Sequence, residues 1–173
     1  LKWTAIVIVV VPTSGDPQVR SSVHVFLSYR REDTRWAARG LYEELVDRYG
    51  TGNVFRDLDA ISPGIRFREY IEQRIASSSV FVLLIGARWV TITGPDGQPR
   101  ISHPVDPVRI ELACALRLGI PVIPVCVEGA SMPTAADLDA EVVDLLEFNA
   151  ADLSDARWAY DVQRLITAID NVG

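Results

Sequence analysis

Glu111 is the residue of this 173-residue chain whose surroundings most call for an explanation. It lies in "DPVRIELACALRLGIPVIPV", Asp106 to Val125, between Ile110 and Leu112. Val108 and Ala115 fall one helical turn away, and residues three and four apart on a helix are neighbours. Burying an acid among apolar groups without a purpose is costly. That makes Glu111 a candidate functional carboxylate, the alternatives being a surface position or a pairing with Arg109 or Arg117. A second candidate group is the pair Arg30-Arg31, which directly follows the apolar "VHVFLSY". The planar fork of arginine suits phosphate oxygens. Solvation, or pairing with Glu32 and Asp33, explains the two equally well.

Several other chemistries are disfavoured. Ser28, in "FLSYR", has no nucleophile-elbow glycines around it, and neither His24 nor His103 stands at a spacing that would activate it. His24 reads as a satisfied strand residue and His103 as a solvated loop residue. There is no GxGxxG after a strand and no phosphate-binding GxxxxGK[ST]. Cys114 and Cys126 are the only cysteines; they lack metal-ligand spacing and read as reduced core thiols of a cytoplasmic protein. No metal centre is expected. A net charge of -6 and a pI near 4.9 argue against nucleic acid as a partner.

These groups need elements to position them. "VHVFLSY" reads as a buried strand, and "DTRWAARGLYEELVDRYG" as a helix capped by Asp33 or Thr34 and stopped by Gly50. "NVFRDLDAI" is a second strand and "SPGI" a turn. "RFREYIEQRIASS" is an amphipathic helix with Phe67, Ile71 and Ile75 on one face. "SVFVLLIGARWV" is the most apolar strand, hence central. A Gly/Pro-rich loop, "TITGPDGQPRISHPV", leads to the Glu111 helix. "IPVIPVCVEG" follows as a fourth strand, whose two prolines point to a strand start or a place near an edge. In "AADLDAEVVDLLEFN" a short helical piece and then a fifth strand around Val142 to Phe148 are expected, and "DARWAYDVQRLITAID" closes the chain as a helix with Val162, Leu165, Ile166 and Ile169 inward.

Such alternation implies an α/β domain with a flavodoxin-like, doubly wound, five-stranded parallel sheet and helices on both faces. Ligands bind beyond the carboxyl ends of such strands, so the loops after Tyr29, Phe55, Ile85 and Val127 are the ones to watch. The domain is expected over residues 22–173. Residues 1–21 hold an apolar run, "WTAIVIVVV", and a Pro/Gly/Ser-rich linker. The run falls short of the ~20 apolar residues a membrane helix needs, so membrane contact by the domain itself is not expected. Its start at Leu1 suits a chain that begins inside a longer reading frame.

Four segments in order resemble the Toll/interleukin-1 receptor (TIR) domain family, in its bacterial form. "VHVFLSYRRED" is similar to the family's first box, and "VFRDLDAISPGIRF" to its second box and BB loop. "SVFVLLIGARWV" is similar to its central strand, and "DPVRIELACAL" to the helix that bears the catalytic glutamate of its NAD-cleaving members. The resemblance spans about Ser22 to Asp170.

The resemblance implies a hydrolase that cleaves NAD between nicotinamide and ribose, giving ADP-ribose or a cyclic isomer, in bacterial defence signalling or toxicity. Glu111 matches the catalytic position. Ser28, Tyr29, Arg30 and Arg31 at the end of the first strand, Asp57, Gly64 and Phe67 around the BB loop, and Trp89 at the end of the central strand are the implied substrate-binding residues. Asp57 and Asp59 also serve to shape the loop, Phe67 and Trp89 suit packing, and Trp158 echoes a structural third box. Other TIR domains are implied as partners, by self-association through the BB loop region. The same family also implies a rival reading, a non-catalytic TIR–TIR interaction module or a mimic of host adaptors. One departure is Pro107, where many NAD-cleaving relatives carry Trp four residues before the glutamate. Proline suits the first helical position after an Asp106 cap. Loss of the ring weighs against cyclisation more than against hydrolysis.

Overall fold

A computed structural model describes residues 23–56 and 66–173, without the side chain of Phe67. The expectations for residues 1–21 and for the "SPGI" turn lie outside the described residues. Among the described residues, strands and α-helices alternate as far as the fourth strand, and a 3-10 helix stands between the fourth and the fifth. In order they are β1 (Val25–Ser28), α1 (Arg31–Tyr49), β2 (Val54–Arg56), α2 (Phe67–Ala76), β3 (Val80–Ile85), α3 (Pro107–Arg117), β4 (Val122–Val127), β5 (Ala151–Leu153) and α4 (Trp158–Val172). All strand pairs are parallel, in the order β2-β1-β3-β4-β5. The expected doubly wound sheet is therefore present, with β3 at its centre.

Period-two alternation assigns the faces. Val25 and Leu27 of β1 point with Val80, Val82 and Leu84 of β3 into a core closed by α1 and α4. Phe26 points the other way, with Phe81, Leu83 and Ile85, into a core closed by α2 and α3. All six residues of β3 are buried. Burial on both faces is why that strand is continuously apolar rather than alternating. On α4 the four expected inward residues are all buried.

Pro124 sits inside β4 without disrupting it. It pairs in register with Leu83 of β3, whereas β5 begins only opposite Val125. At Pro124 the strand is locally an edge, so the missing N–H removes no ladder bond on that side.

Two local expectations are corrected. Val142 to Phe148 is not a strand: Val143–Glu147 forms a 3-10 helix, and β5 comes later. Val142 and Leu145 are both buried. Their three-residue spacing eclipses on a 3-10 turn and would face opposite ways on a strand. The first helix begins at Arg31, ahead of the expected caps, and Thr34 forms a kink within it at φ -126° and ψ 23°. Asp33 does not cap this helix. Its Oδ1 accepts from the backbone N–H of Arg88, 3.1 Å away, and so ties α1 to the segment after β3. Gly50 does stop α1, at a φ of 94° that suits glycine.

Candidate active site

The chain leaves β1 toward β2 on one side and returns through β3 on the other, so the strand order reverses between β1 and β3. The carboxyl end of β1 is thus a switch point, where open α/β sheets bind ligands. Ser28 is the last residue of β1 and shares the face of Phe26, toward α3. Glu111 shares the inward stripe of α3 with Val108, Leu112 and Ala115, all buried. Glu111 is 6% exposed, which settles the question of a surface position. The Ser28 hydroxyl donates to Glu111 Oε2 over 2.6 Å.

Neither alternative partner for Glu111 is in place. Arg109 donates to Asp139 Oδ2 at 2.7 Å and pairs with Glu141 at 2.9 Å, while Arg117 pairs with Glu72 at 3.1 Å. Desolvation opposes ionisation of Asp139, but the bonds and charge of Arg109 outweigh it and hold the carboxyl below its usual range.

Next to this contact lies a second buried one. Arg30 is 1% exposed and grips Asp106 with two bonds, Nη1 to Oδ2 at 2.8 Å and Nη2 to Oδ1 at 3.0 Å. Arg100 Nε reaches the same carboxylate at 3.1 Å. Asp106 also caps α3 through the backbone N–H of Arg109, and Pro107 occupies the first turn as expected. Arg100 continues the chain of charges to Glu32 Oε1, 3.0 Å away. Glu32 is held below the usual carboxylate range, first by its backbone hydrogen bond and then by Arg100, against desolvation.

Two expected binding residues therefore have other work. Arg30 is turned into the protein; a guanidinium taken out of water needs a carboxylate, and Asp106 supplies it. Trp89 does not line a cleft. It lies in the turn after β3 rather than at the end of the strand, is fully buried, and has Arg30 Cζ 5.5 Å from its ring centroid. Among the described residues, Trp89 Nε1, Arg30 Nε and Asp33 Oδ2 are buried without a hydrogen-bond partner.

Tyr29 and Arg31 flank Arg30 and are half-buried, Tyr29 against the α1–α4 core. Phe67 heads α2, while Asp57, Asp59 and Gly64 lie outside the described residues. His24 stacks on Phe55, and His103 pairs with Asp96 at 2.8 Å; both stand apart from Ser28 and Glu111. Burial raises the pKa of both cysteine thiols, so they are protonated near neutrality. A groove of about 430 Å³ between α2 and α3 is lined by Arg68, Glu72, Arg109, Cys114 and Arg117, and includes neither Ser28 nor Glu111.

The TIR domain family model matches residues 25–166, most of the chain. This chain belongs to the TIR domain family. The TIR domain matches no curated protein. Among solved structures it is similar to the TIR domains of the activated Roq1 resistosome directly recognizing the pathogen effector XopQ. That likeness has a TM-score of 0.61 and 17% identity, over 85% of this chain and 99% of that one. It is also similar to a metazoan TIR-STING receptor from C. gigas in complex with 2',3'-cGAMP, with a TM-score of 0.53 and 19% identity. That match covers 92% of this chain and 42% of the receptor. At these identities the likeness carries the fold, and the site must carry the function.

Asp106 and Arg100 are the site residues that sequence reasoning missed as a cluster. The "DP" step marked Asp106 as a cap, but nothing local signals a partner 76 positions away. Among the described residues no helix is long and apolar enough to cross a membrane.

Proposed function

We propose that this TIR domain cleaves NAD at the bond between nicotinamide and ribose, with Glu111 as the catalytic carboxylate. The observation that carries this reading is a buried glutamate at the switch point, its Oε2 held at 2.6 Å by Ser28. A fixed carboxylate in a partly dry site stabilises developing positive charge better than water does.

The reaction asks for little else. The leaving group is a pyridinium nitrogen that takes the bonding pair and departs as neutral nicotinamide, so no acid is required. Positive charge grows on the ribose, and the Glu111 carboxylate is the group to stabilise it. Water then attacks the anomeric carbon and releases a proton, giving ADP-ribose. Many glycoside hydrolases need two carboxyl groups because their leaving oxygen must be protonated. Here one suffices.

Ser28 orients the carboxylate rather than acting as nucleophile. Tyr29 and Arg31, at the exit of β1, are the candidates for contact with the rest of NAD, with Asp57, Gly64 and Phe67 from the BB loop region. Arg30 is engaged by Asp106, and the planar fork of Arg31 suits a pyrophosphate. Pro107 in place of a ring favours hydrolysis over cyclisation. A second copy of the domain, docked through the BB loop region, completes the site, and the product serves bacterial defence inside the cell.

The test is to incubate purified protein with NAD and follow free nicotinamide, beside Glu111→Gln and Glu111→Ala, under dilute and crowded conditions. Release that disappears in both variants supports the reading. No release under assembling conditions would overturn it in favour of a non-catalytic TIR–TIR module, and equal release from the variants would overturn the assignment to Glu111. Mass analysis of the product separates ADP-ribose from its cyclic isomers.

A further inference from the structure

The Ser28–Glu111 and Arg30–Asp106 contacts both join the exit of β1 to the start of α3. Ser28 and Arg30 are two residues apart on extended chain, Arg30 having φ -94° and ψ 119°, so their side chains share the face toward α3. Two residues of strand advance about 6.6 Å. On α3, Asp106 and Glu111 are five residues apart, and five residues of helix rise about 7.5 Å. The order is reversed, because a helix that links parallel strands runs back against them. Two contacts with nearly matched spacing on antiparallel elements form a two-rung ladder. Together they add two polar constraints on the height and rotation of α3 to the apolar packing of Val108, Leu112 and Ala115.

The outer rung is built to resist slipping. Asp106 accepts from Arg30 twice, from Arg100 and from the backbone of Arg109. A bidentate guanidinium–carboxylate pair constrains orientation as well as distance. The side-chain exposures of Arg30 and Asp106 are 0% and 1%, so solvent does not compete for the bond. The Trp89 ring behind Arg30 and the reach of Arg100 to Glu32 keep the guanidinium groups in place.

We propose that Asp106, through Arg30, is a positioning residue that sets the distance between Glu111 and Ser28, and hence the efficiency of the NAD cleavage proposed above, on which its kinetic consequence rests. It touches no substrate. A buried pair so expensive to desolvate is retained here because it specifies register.

The experiment compares wild type with Asp106→Asn and Arg30→Lys. Asn keeps the α3 cap and the shape but loses the charge, and Lys keeps the charge but loses the fork. Nicotinamide release is read as kcat and KM separately. Amide hydrogen exchange across residues 108–112 is read in the same samples. A misplacement on the order of 1 Å costs about 100-fold in rate. The expected result is a kcat lowered about 10- to 100-fold in Asp106→Asn with KM changed less than about threefold, and a smaller loss in Arg30→Lys. Exchange in the first turn and a half of α3 should speed up in the same order.

A folded Asp106→Asn protein with wild-type kcat and wild-type exchange would overturn the inference. Should Asp106→Asn fail to fold, Arg30→Lys decides on the same two readouts. A wild type that releases no nicotinamide overturns the NAD reading instead. In that case the exchange data still decide whether the ladder holds α3, with unchanged protection overturning it.

Discussion

Ser28 Oγ lies 2.6 Å from Glu111 Oε2, across 83 positions of sequence. One residue ends β1 and the other sits in the second turn of α3. The bond gives a buried carboxylate oxygen a donor and aims it toward the carboxyl end of the sheet. It is also a measurable coupling between two elements that the chain keeps far apart.

Removing one hydrogen bond from a buried carboxyl group costs about 1–3 kcal/mol. Ser28→Ala should therefore lower the unfolding free energy by about that much. In a Glu111→Leu background the same substitution should cost little, giving a coupling of at least about 0.5 kcal/mol. Urea denaturation of the four proteins in the cycle checks this; additive effects would mean that the bond contributes nothing.

The same pair separates two roles in turnover. Glu111→Gln should lower nicotinamide release by on the order of 100- to 1,000-fold, the scale of a lost electrostatic stabiliser. Ser28→Ala should lower kcat by only about tenfold, or 1.4 kcal/mol of barrier, with the carboxylate present but less well aimed. A Ser28→Ala protein as inactive as Glu111→Gln would assign the hydroxyl a direct part in the chemistry. Mass analysis of wild-type product should find ADP-ribose in excess of any cyclic isomer.

Gly86 marks where the end of β3 meets the start of α1. A Cβ built there would lie 2.6 Å from Asp33 Cγ, Asp33 Oδ2 and Thr34 Cγ2. These atoms are held, Asp33 by the Arg88 amide and Thr34 by the kink it forms. Gly86→Ala should destabilise the fold by about 1–3 kcal/mol, the usual cost of overpacking. Thermal unfolding would show it; an unchanged midpoint would mean that the start of α1 yields freely.

Tyr49 and Asp170 make stability depend on pH at both ends of the range. The Tyr49 hydroxyl donates to Asp170 Oδ1 at 2.9 Å, and Arg48 reaches Asp170 Oδ2. Burial, and then the bond to Asp170 and its charge, push the Tyr49 phenol well above its ordinary value. That stability is complete below about pH 10 and declines as pH rises above it. Desolvation raises the Asp170 carboxyl, but Arg48 and Tyr49 outweigh it and hold the group low. Its contribution is present above about pH 4 and is lost as acid protonates it. Absorbance titration should find one of the five tyrosines ionising only with unfolding, and Asp170→Asn should flatten the acid limb of stability.

Much of this protein was legible in its sequence, because apolar periodicity reports directly on burial. The continuous run of β3, the inward stripe of α4 and the half-buried faces of α1 and α2 each record which side of an element loses water. The apolar ring around Glu111 announced a buried acid in the same way, and the Asp106-Pro107 step announced the start of its helix. What failed was local and short. In Val142 to Phe148, three-residue spacing and strand-like composition compete, and only packing chose the 3-10 turn.

Tertiary structure alone decided what each charge does. Arg30 and Arg31 are adjacent and identical in the sequence, yet one is fully buried on Asp106 and the other half-buried at the head of α1. Ion-pair partners are set by three-dimensional proximity, which for Arg30 and Asp106 depends on how β1 and α3 pack across the sheet. No pattern of neighbours encodes a contact 76 residues away. The sequence by itself determined that an acid would be buried in α3; the fold decided that Ser28 would hold it and that a buried salt bridge would set its place.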